Sequence, residues 1–332
     1  MNLVAAYFGG AAALLGAALG IHVCLRKFTP TYRMPYAIAR LILAIIGLAP
    51  LIMTLYLLAS YFGPRPAATD ETWFQGVRYV CDVIGSPRPV NIHRVTIDLT
   101  IRGIKFIVTP SDTTAAPRHL HARTTREFIH ANDVQIAINA NYFTPFRDNA
   151  PWDAYPHRGD PVTVIGIAAS DDVMYSTKPW NHATLFIRSD GSVGIGEPPT
   201  DTRHAVSGRQ FILRNGKIIP FVVDAVENAK PYPRLLLALN EARSKLTIIL
   251  MDGKQPYFSE GLTLAETAEY VKQLGCFDVI EMDGGGSCSL LYRDAQQNIR
   301  IANRPAHSRI PRRERPVANH LGIRIPLTSP NQ

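Results

Sequence analysis

Phe277-Asp278-Val279-Ile280-Glu281-Met282-Asp283-Gly284-Gly285-Gly286-Ser287-Cys288-Ser289 organises this chain. The run Phe277 to Met282 reads as a buried strand. It ends on an acid, three glycines and two hydroxyl residues. Consecutive glycines cost backbone entropy and place no side chain. They suit a sharp turn, or a loop whose bare amides approach a ligand, often an anion such as phosphate. A tight turn with no guest is the plain alternative. The acid before the glycines and the hydroxyls after them favour a site.

The preceding residues extend the pattern. Leu246 to Met251 is a second short apolar run, and it also ends in Asp-Gly, at Asp252-Gly253. Between the runs, Thr263 and Glu266 form a capping box, and Leu264, Ala268, Val271 and Leu274 share one helical face. Gly275 is a natural helix stop. Strand, helix and strand of this length predict a crossover with parallel strands. Asp252 and Asp283 then leave the same edge of the sheet, where ligand sites gather. This holds if the strands are neighbours.

Upstream, alternation over Val95, Ile97, Leu99 and Ile101, then Ile104, Phe106 and Val108 after Gly103, reads as a hairpin. Thr124 and Glu127 open a helix to about Ala131, and Val134 to Ile138 is a strand. Asn139 and Asn141 follow it, spaced to share a face and donate to sugar or phosphate oxygens, or simply to cap a loop. Residues 144–160 read as a long exposed loop, with Trp152 and Tyr155 placed either to line a sugar site or to pin the loop. Residues 162–223 read as antiparallel strands with turns at Asp190-Gly191, Ser207-Gly208 and Asn215-Gly216. Leu235 to Leu239 is another strand, and Val317 to Ile325 the last. Arg312, Arg313 and Arg315 make a basic loop, either solvated or an anion clamp.

The N-terminal part differs in composition. Residues 3–25 and 41–62 carry no Asp, Glu, Lys or Arg, and each is long enough to cross a bilayer as a helix. Arg26, Lys27, Arg33 and Arg40 lie between them, which places that loop in the cytoplasm. The expectation is therefore a multi-pass protein of the cytoplasmic (inner) membrane, with the domain on the periplasmic or extracellular side. A connector spans 63–90, with a short helix around Thr72 to Ile84. These four cations account for half of the +8 net charge, leaving +4 for the rest. That modest excess argues against a nucleic-acid partner and suits an anionic substrate or a membrane surface. Cys81, Cys276 and Cys288 allow one disulfide whose pairing is not readable. The fold class is α+β, a mixed sheet domain with a strand-helix-strand unit, tethered by an N-terminal pair of transmembrane helices. Its divisions are 1–62, 63–90 and 91–327.

Several separated pieces, in order, resemble the phosphodiester glycosidase family. They are Ala137-Ile138-Asn139-Ala140-Asn141-Tyr142-Phe143, Val206-Ser207-Gly208 through Asn215-Gly216, and Pro233-Arg234. Met251-Asp252-Gly253 running into Ser259-Glu260-Gly261-Leu262-Thr263-Leu264 follows, then Met282-Asp283-Gly284-Gly285-Gly286-Ser287. Asn303 with Glu314-Arg315-Pro316-Val317-Ala318-Asn319 matches the closing motif. The chain departs from the family pattern at Glu281, where Asn is usual, at Cys288, where a second Ser is common, and at Leu235, where Thr is usual. The best-known member type of this family removes N-acetylglucosamine from a sugar phosphodiester.

The resemblance implies a hydrolase of a sugar-1-phosphodiester or phosphoglycan. Chemistry at an anomeric carbon uses carboxylates, usually a pair. Asp283 and Asp252 are the candidates, with Glu281 a third. Arg234 and Arg315 would hold the phosphate, the amides of Gly284, Gly285 and Gly286 would assist, and Ser287 and Asn303 complete the binding set. Asn139 and Asn141 would position the sugar. No cofactor is firmly implied, although Asp252 and Asp283 could share calcium or magnesium. The competing function is a non-catalytic phosphoglycan-binding module of the cell envelope. A nucleotide loop is the weakest reading, because no Lys-Ser or Lys-Thr follows the glycines and the P-loop spacing is absent.

Overall fold

Leu235-Leu236-Leu237-Ala238-Leu239 is apolar at every position, as a strand covered on both faces must be. The computed structural model places it at the heart of the fold. The structure describes residues 51–178, 183–220 and 229–326, with Gly16 and Leu48. The chain divides into two units, Met1–Pro64 and Arg65–Gln332.

The second unit is built on two main sheets. The larger contains β1 (Thr69–Phe74), β2 (Val77–Ile84), β3 (Val90–Asp98), β6 (Gln210–Arg214), β7 (Lys217–Ile218), β8 (Arg234–Leu239), β9 (Lys245–Met251) and β10 (Asp278–Glu281). The smaller contains β4 (Lys105–Val108), β5 (Ile136–Asn139), β11 (Leu290–Arg293), β12 (Ile299–Ile301) and β13 (His320–Arg324). Their orders are β1-β2-β3-β9-β8-β10-β6-β7 and β12-β11-β5-β13-β4. Two helices, α1 (Thr125–Ala131) and α2 (Leu264–Gln273), begin with the expected capping boxes.

Alternation along β8 sorts the layers. Leu235, Leu237 and Leu239 join a core with Ile138, Leu290, Leu321 and Ile323 of the smaller sheet. Leu236 and Ala238 face the other way, against Leu264, Ala268 and Val271 of α2. Phe128 and Ile129 of α1 cover Ala137 and Leu291 on the far side of the smaller sheet. The layers are therefore α2, larger sheet, smaller sheet, α1. Each fully buried leucine contributes on the order of 1.5–3 kcal/mol. A third sheet, formed by segments between 168 and 207, closes the same core through Leu185, Ile187 and Val206.

The strand-helix-strand unit is present, with one change. β8 lies between β9 and β10 and is antiparallel to both. β9 and β10 therefore run parallel without touching, and Asp252 and Asp283 do leave the same edge. β8 begins at that edge with Arg234.

Other expectations are corrected. Thr72 to Ile84 is not a helix but the β1–β2 hairpin. Val77, Tyr79 and Cys81 are buried while Arg78 and Val80 are not, a period of two rather than 3.6. Residues 69–84 extend the larger sheet, and Arg65 is tied to it by bonds to the carbonyl oxygens of Ile84 (2.7 Å) and Val90 (2.8 Å). Val95 to Val108 is not a hairpin, because β3 pairs with β2 and β9 while β4 pairs with β13. The turn at Gly103 instead carries the chain between sheets. Ser207-Gly208 likewise links the third sheet to the larger one. A Cβ at Gly208 would lie 2.3 Å from the Glu281 carbonyl oxygen, so the glycine serves a close approach. The turns at Asp190-Gly191 and Asn215-Gly216 do close hairpins. Residues 144–160 contain a short hairpin, Arg147–Ala150 with Asp153–Tyr155.

The expectation of a multi-pass membrane protein is also corrected. Among the described residues no helix is long and apolar enough to cross a membrane. Of the second expected span, residues 51–61 are helical. The first span and the basic loop lie outside the described residues, apart from Gly16.

Candidate active site

Asp283 sits where the chain passes from one sheet to the other. The amide of Met282 donates to Leu235 in β8 (2.8 Å), and that of Asp283 donates to Ala140, just past β5 (3.1 Å). Asn139 brackets the crossing loop. Its Nδ2 donates to the Asp283 carbonyl (2.7 Å), and its Oδ1 accepts from the Ser289 amide (3.0 Å). Asn141 acts the same way, donating to the carbonyls of Ile165 and Ile167 and accepting from Ser207 and Asn319. Both asparagines are buried. Their amides are turned inward and hold loops in place.

The glycines permit crowding more than they cradle a ligand. A Cβ would lie 2.9 Å from the Pro233 oxygen at Gly284, 2.8 Å from the Tyr232 hydroxyl at Gly285, and 2.6 Å from the Arg315 guanidinium at Gly286. Gly285 also has φ +64°, a conformation that L-residues rarely adopt. Its amide donates to the Pro233 carbonyl (2.9 Å), and the Gly284 amide lies where it favours the ionised Asp283 carboxyl. These two amides therefore close on the protein itself.

A cleft of about 350 Å³ opens at this point. That is near the lower end for small-molecule sites, roughly 300–1,000 Å³. Asp283, Asp148, Arg315 and Lys254 supply its charges, and Tyr142, Phe143, Phe146 and Tyr232 its aromatic walls. Arg315 is buried and firmly oriented. It donates from Nε to His307 Nδ1 (3.1 Å) and from Nη1 to Ser287 Oγ (3.1 Å), pairs through Nη2 with Asp148, and lies 4.7 Å from the Phe146 ring centre. Lys254 donates to the Tyr232 hydroxyl (2.7 Å).

The two carboxylates differ in character. Burial pushes the Asp283 carboxyl up to about 6, against the pull of the Ser287 hydroxyl, Arg315 and the Gly284 amide. Burial also opposes charge on Asp148, but Ser308 and Arg315 outweigh it and hold its carboxyl below the usual range. His307 is lowered to about 4 by burial, then by Arg315 and Arg313. It therefore accepts from Arg315 as a neutral ring.

The other expected site residues lie behind this cleft. Asp252 is 2% exposed and does not line it. Its Oδ1 accepts from the Arg304 amide (2.9 Å) and from Asn303 Nδ2 (3.3 Å), and its Oδ2 meets His93 Nε2 (3.2 Å). Asn303 is a further pin, bonded to Leu290 and Cys288. Glu281 pairs with Arg234 and accepts from Gln210 (2.8 Å), all inside the protein. Among the described residues no group of three or more His, Cys, Asp or Glu is placed to hold a metal ion. Cys81, Cys276 and Cys288 are free thiols. Trp152 stands 82% exposed, and Tyr155 pins its hairpin through a bond to Pro161.

The sequence does not single out Asp148, Lys254, Tyr232 or Phe146, all of which line the cleft. Asp148 sits in a polar stretch with no apolar period to place it, and Lys254 follows a turn that scatters direction. Only the fold brings them to Asp283.

The His93–Asp252 contact has a measurable consequence. Burial lowers the His93 imidazole, but the bond to Asp252 and that carboxylate's charge, helped by the neighbouring Cys81, win and push it up to about 9. A group raised on folding stabilises fully below its unfolded value, near 6.5. That contribution is lost as pH climbs through about 9. Denaturant unfolding from pH 6 to 10 should show a loss on the order of 3 kcal/mol. His93→Gln should flatten that slope; an unchanged slope would refute the linkage.

Comparison with known proteins bears on the family and the fold. The family model for phosphodiester glycosidases matches residues 132–324. No curated protein matches the chain significantly. Among solved structures, the catalytic domain of zebrafish N-acetylglucosamine-1-phosphodiester alpha-N-acetylglucosaminidase, auto-inhibited by its pro-peptide, is similar at TM-score 0.56 and 19% identity. The match covers 80% of this chain and 86% of that one. A hypothetical protein from Synechocystis is similar at TM-score 0.51 and 12% identity, over 78% of this chain and 64% of that one. A putative exported protein from Burkholderia pseudomallei is similar at 0.50 and 12%, over 73% and 76%. At such identities these likenesses show the fold alone. The family match spans more than half of the sequence, and the chain belongs to the phosphodiester glycosidase family.

Proposed function

We propose that the chain hydrolyses the bond between a sugar's anomeric carbon and a phosphodiester oxygen. The observation that carries this reading is one cleft holding Asp283, Asp148 and two cations, Arg315 and Lys254, between aromatic walls. Water adds its oxygen to the anomeric carbon. The carbon–oxygen bond breaks with its electron pair leaving on the phosphate monoester, and the water proton passes to phosphate or solvent. That leaving group is a weak base and needs little protonation. The main demand is to stabilise a cationic sugar, which an ionised carboxylate meets.

Asp283 takes that role, facing the anomeric carbon. Arg315 and Lys254 bind the phosphate, and the rings of Tyr142, Phe146 and Tyr232 receive the sugar. Asp148 orients Arg315 and offsets part of its charge. Arg234 is withdrawn from phosphate binding because Glu281 already neutralises it. Asp252, Asn139, Asn141 and Asn303 position the loops that carry these groups.

The test is incubation of the protein with a panel of sugar-1-phosphodiesters, followed by analysis of products. Release of free sugar together with a phosphate monoester is expected. Release of sugar 1-phosphate would mean that the other bond breaks and would overturn this reading. Binding without release would make the protein a phosphoglycan-binding module instead.

A further inference from the structure

A second cleft, of about 550 Å³, lies behind one wall of the first. Arg126, Arg158, Arg313 and His157 line it, with His307 and Glu314. The two clefts share a partition. His307 takes the Nε–H of Arg315, which lines the first cleft, while lining the second itself. The hairpin that presents Asp148 to the first cleft runs on into Pro156, His157 and Arg158 of the second. Arg313 Nη1 donates to the Pro151 carbonyl (3.4 Å), tying the basic loop to the hairpin tip. Trp152 follows Pro151 at that tip and is 82% exposed, so the tip held by Arg313 carries a bare indole.

The charges of the second cleft are only partly spent. Arg126 pairs with the mostly buried Glu314, while Arg158 pairs with Glu127 on the surface, where such a pair is weak and easily exchanged. Arg313 has no acidic partner among the described residues. Guanidinium groups suit phosphate because their fork matches two of its oxygens. An exposed indole offers a flat apolar face on which a sugar ring can lie.

We infer that the second cleft is a subsite for the next phosphate of a glycan with repeating phosphodiester links, with a sugar beside that phosphate resting on Trp152. The substrate class is then a phosphate-bearing oligomer or polymer rather than a single sugar phosphodiester. This rests on the hydrolase reading above for the first cleft but is tested by binding, independently of turnover.

The probes are N-acetylglucosamine 1-(methyl phosphate) and its phosphodiester-linked trimer. Binding is measured by titration calorimetry on Asp283→Asn protein, so that nothing is consumed. The trimer is expected to bind more tightly than the monomer, with a steeper salt dependence. Adding Arg158→Gln and Arg313→Gln should weaken the trimer about tenfold or more, the loss expected for charged hydrogen bonds. Trp152→Ala should weaken it too, with the monomer unchanged in both cases. Equal binding of the two probes, or equal loss of both in the variants, would overturn the subsite. Tight trimer binding by a parent protein that cleaves no phosphodiester would sustain the subsite and remove the hydrolase reading.

Discussion

Asp283→Asn is expected to lower turnover of a sugar-1-phosphodiester by roughly 10²–10⁴-fold, the range for a lost acid–base or charge-stabilising group. The same substitution should make the protein more stable at neutral pH. Burial raises the Asp283 carboxyl from 3.8 to about 6. The folded state then holds a carboxylate at a cost that is absent below the unfolded value and complete above about pH 6. Two units correspond to a cost on the order of 3 kcal/mol. Asparagine removes that charge while keeping a carbonyl oxygen for Ser287 and Gly284. Activity and stability should therefore move in opposite directions, as they do where a site is kept strained for function.

The pH profile supplies an independent check. Asp148 is held below the usual carboxylate range and His307 near 4, so neither changes charge between pH 5 and 7. kcat/KM should rise with pH and level off above about 6 as Asp283 ionises. A profile that falls through pH 6 would make Asp283 a proton donor instead. Undiminished turnover in Asp283→Asn protein would remove it from the reaction.

The fold was largely legible where one period persisted over several residues. Thr124 with Glu127 and Thr263 with Glu266 announce α1 and α2 by their caps. Phe277 to Met282 announces the strand that ends at Asp283. What could not be read was pairing. Nothing local says that β8 slips between β9 and β10, or that the turn at Gly103 changes sheets. The site follows the same rule. Asp283 and Arg315 were legible because each sits in a marked motif. Asp252 looked equivalent to Asp283 because both end a strand in Asp-Gly, yet its carboxylate turns inward to His93 and the Arg304 amide. Direction beyond a strand end depends on the loop that follows, and loops from distant parts of the chain decide it here.

Glu281, the departure from the family pattern, also finds its reason in packing. Arg234 is 7% exposed and Glu281 4%, so each charge is held out of water by the other. Gln210 supplies a further hydrogen bond to Glu281, and the Leu262 carbonyl accepts from Arg234 Nε at 3.3 Å. Removing one partner strands the other. Arg234→Met should therefore cost about 3–5 kcal/mol, the range for breaking a buried pair. Glu281→Leu should cost a similar amount by leaving the guanidinium uncompensated. The double variant, Arg234→Met with Glu281→Leu, should recover most of the loss, because two apolar side chains replace two desolvated ions. Denaturant midpoints of the four proteins make a double-mutant cycle that isolates the coupling. Additive losses would mean that the pair is not coupled. Turnover adds a second reading. If Arg234 only braces the strand that begins beside the Asp283 loop, the double variant should keep its KM for a sugar phosphodiester, whereas a phosphate-binding Arg234 would raise it sharply.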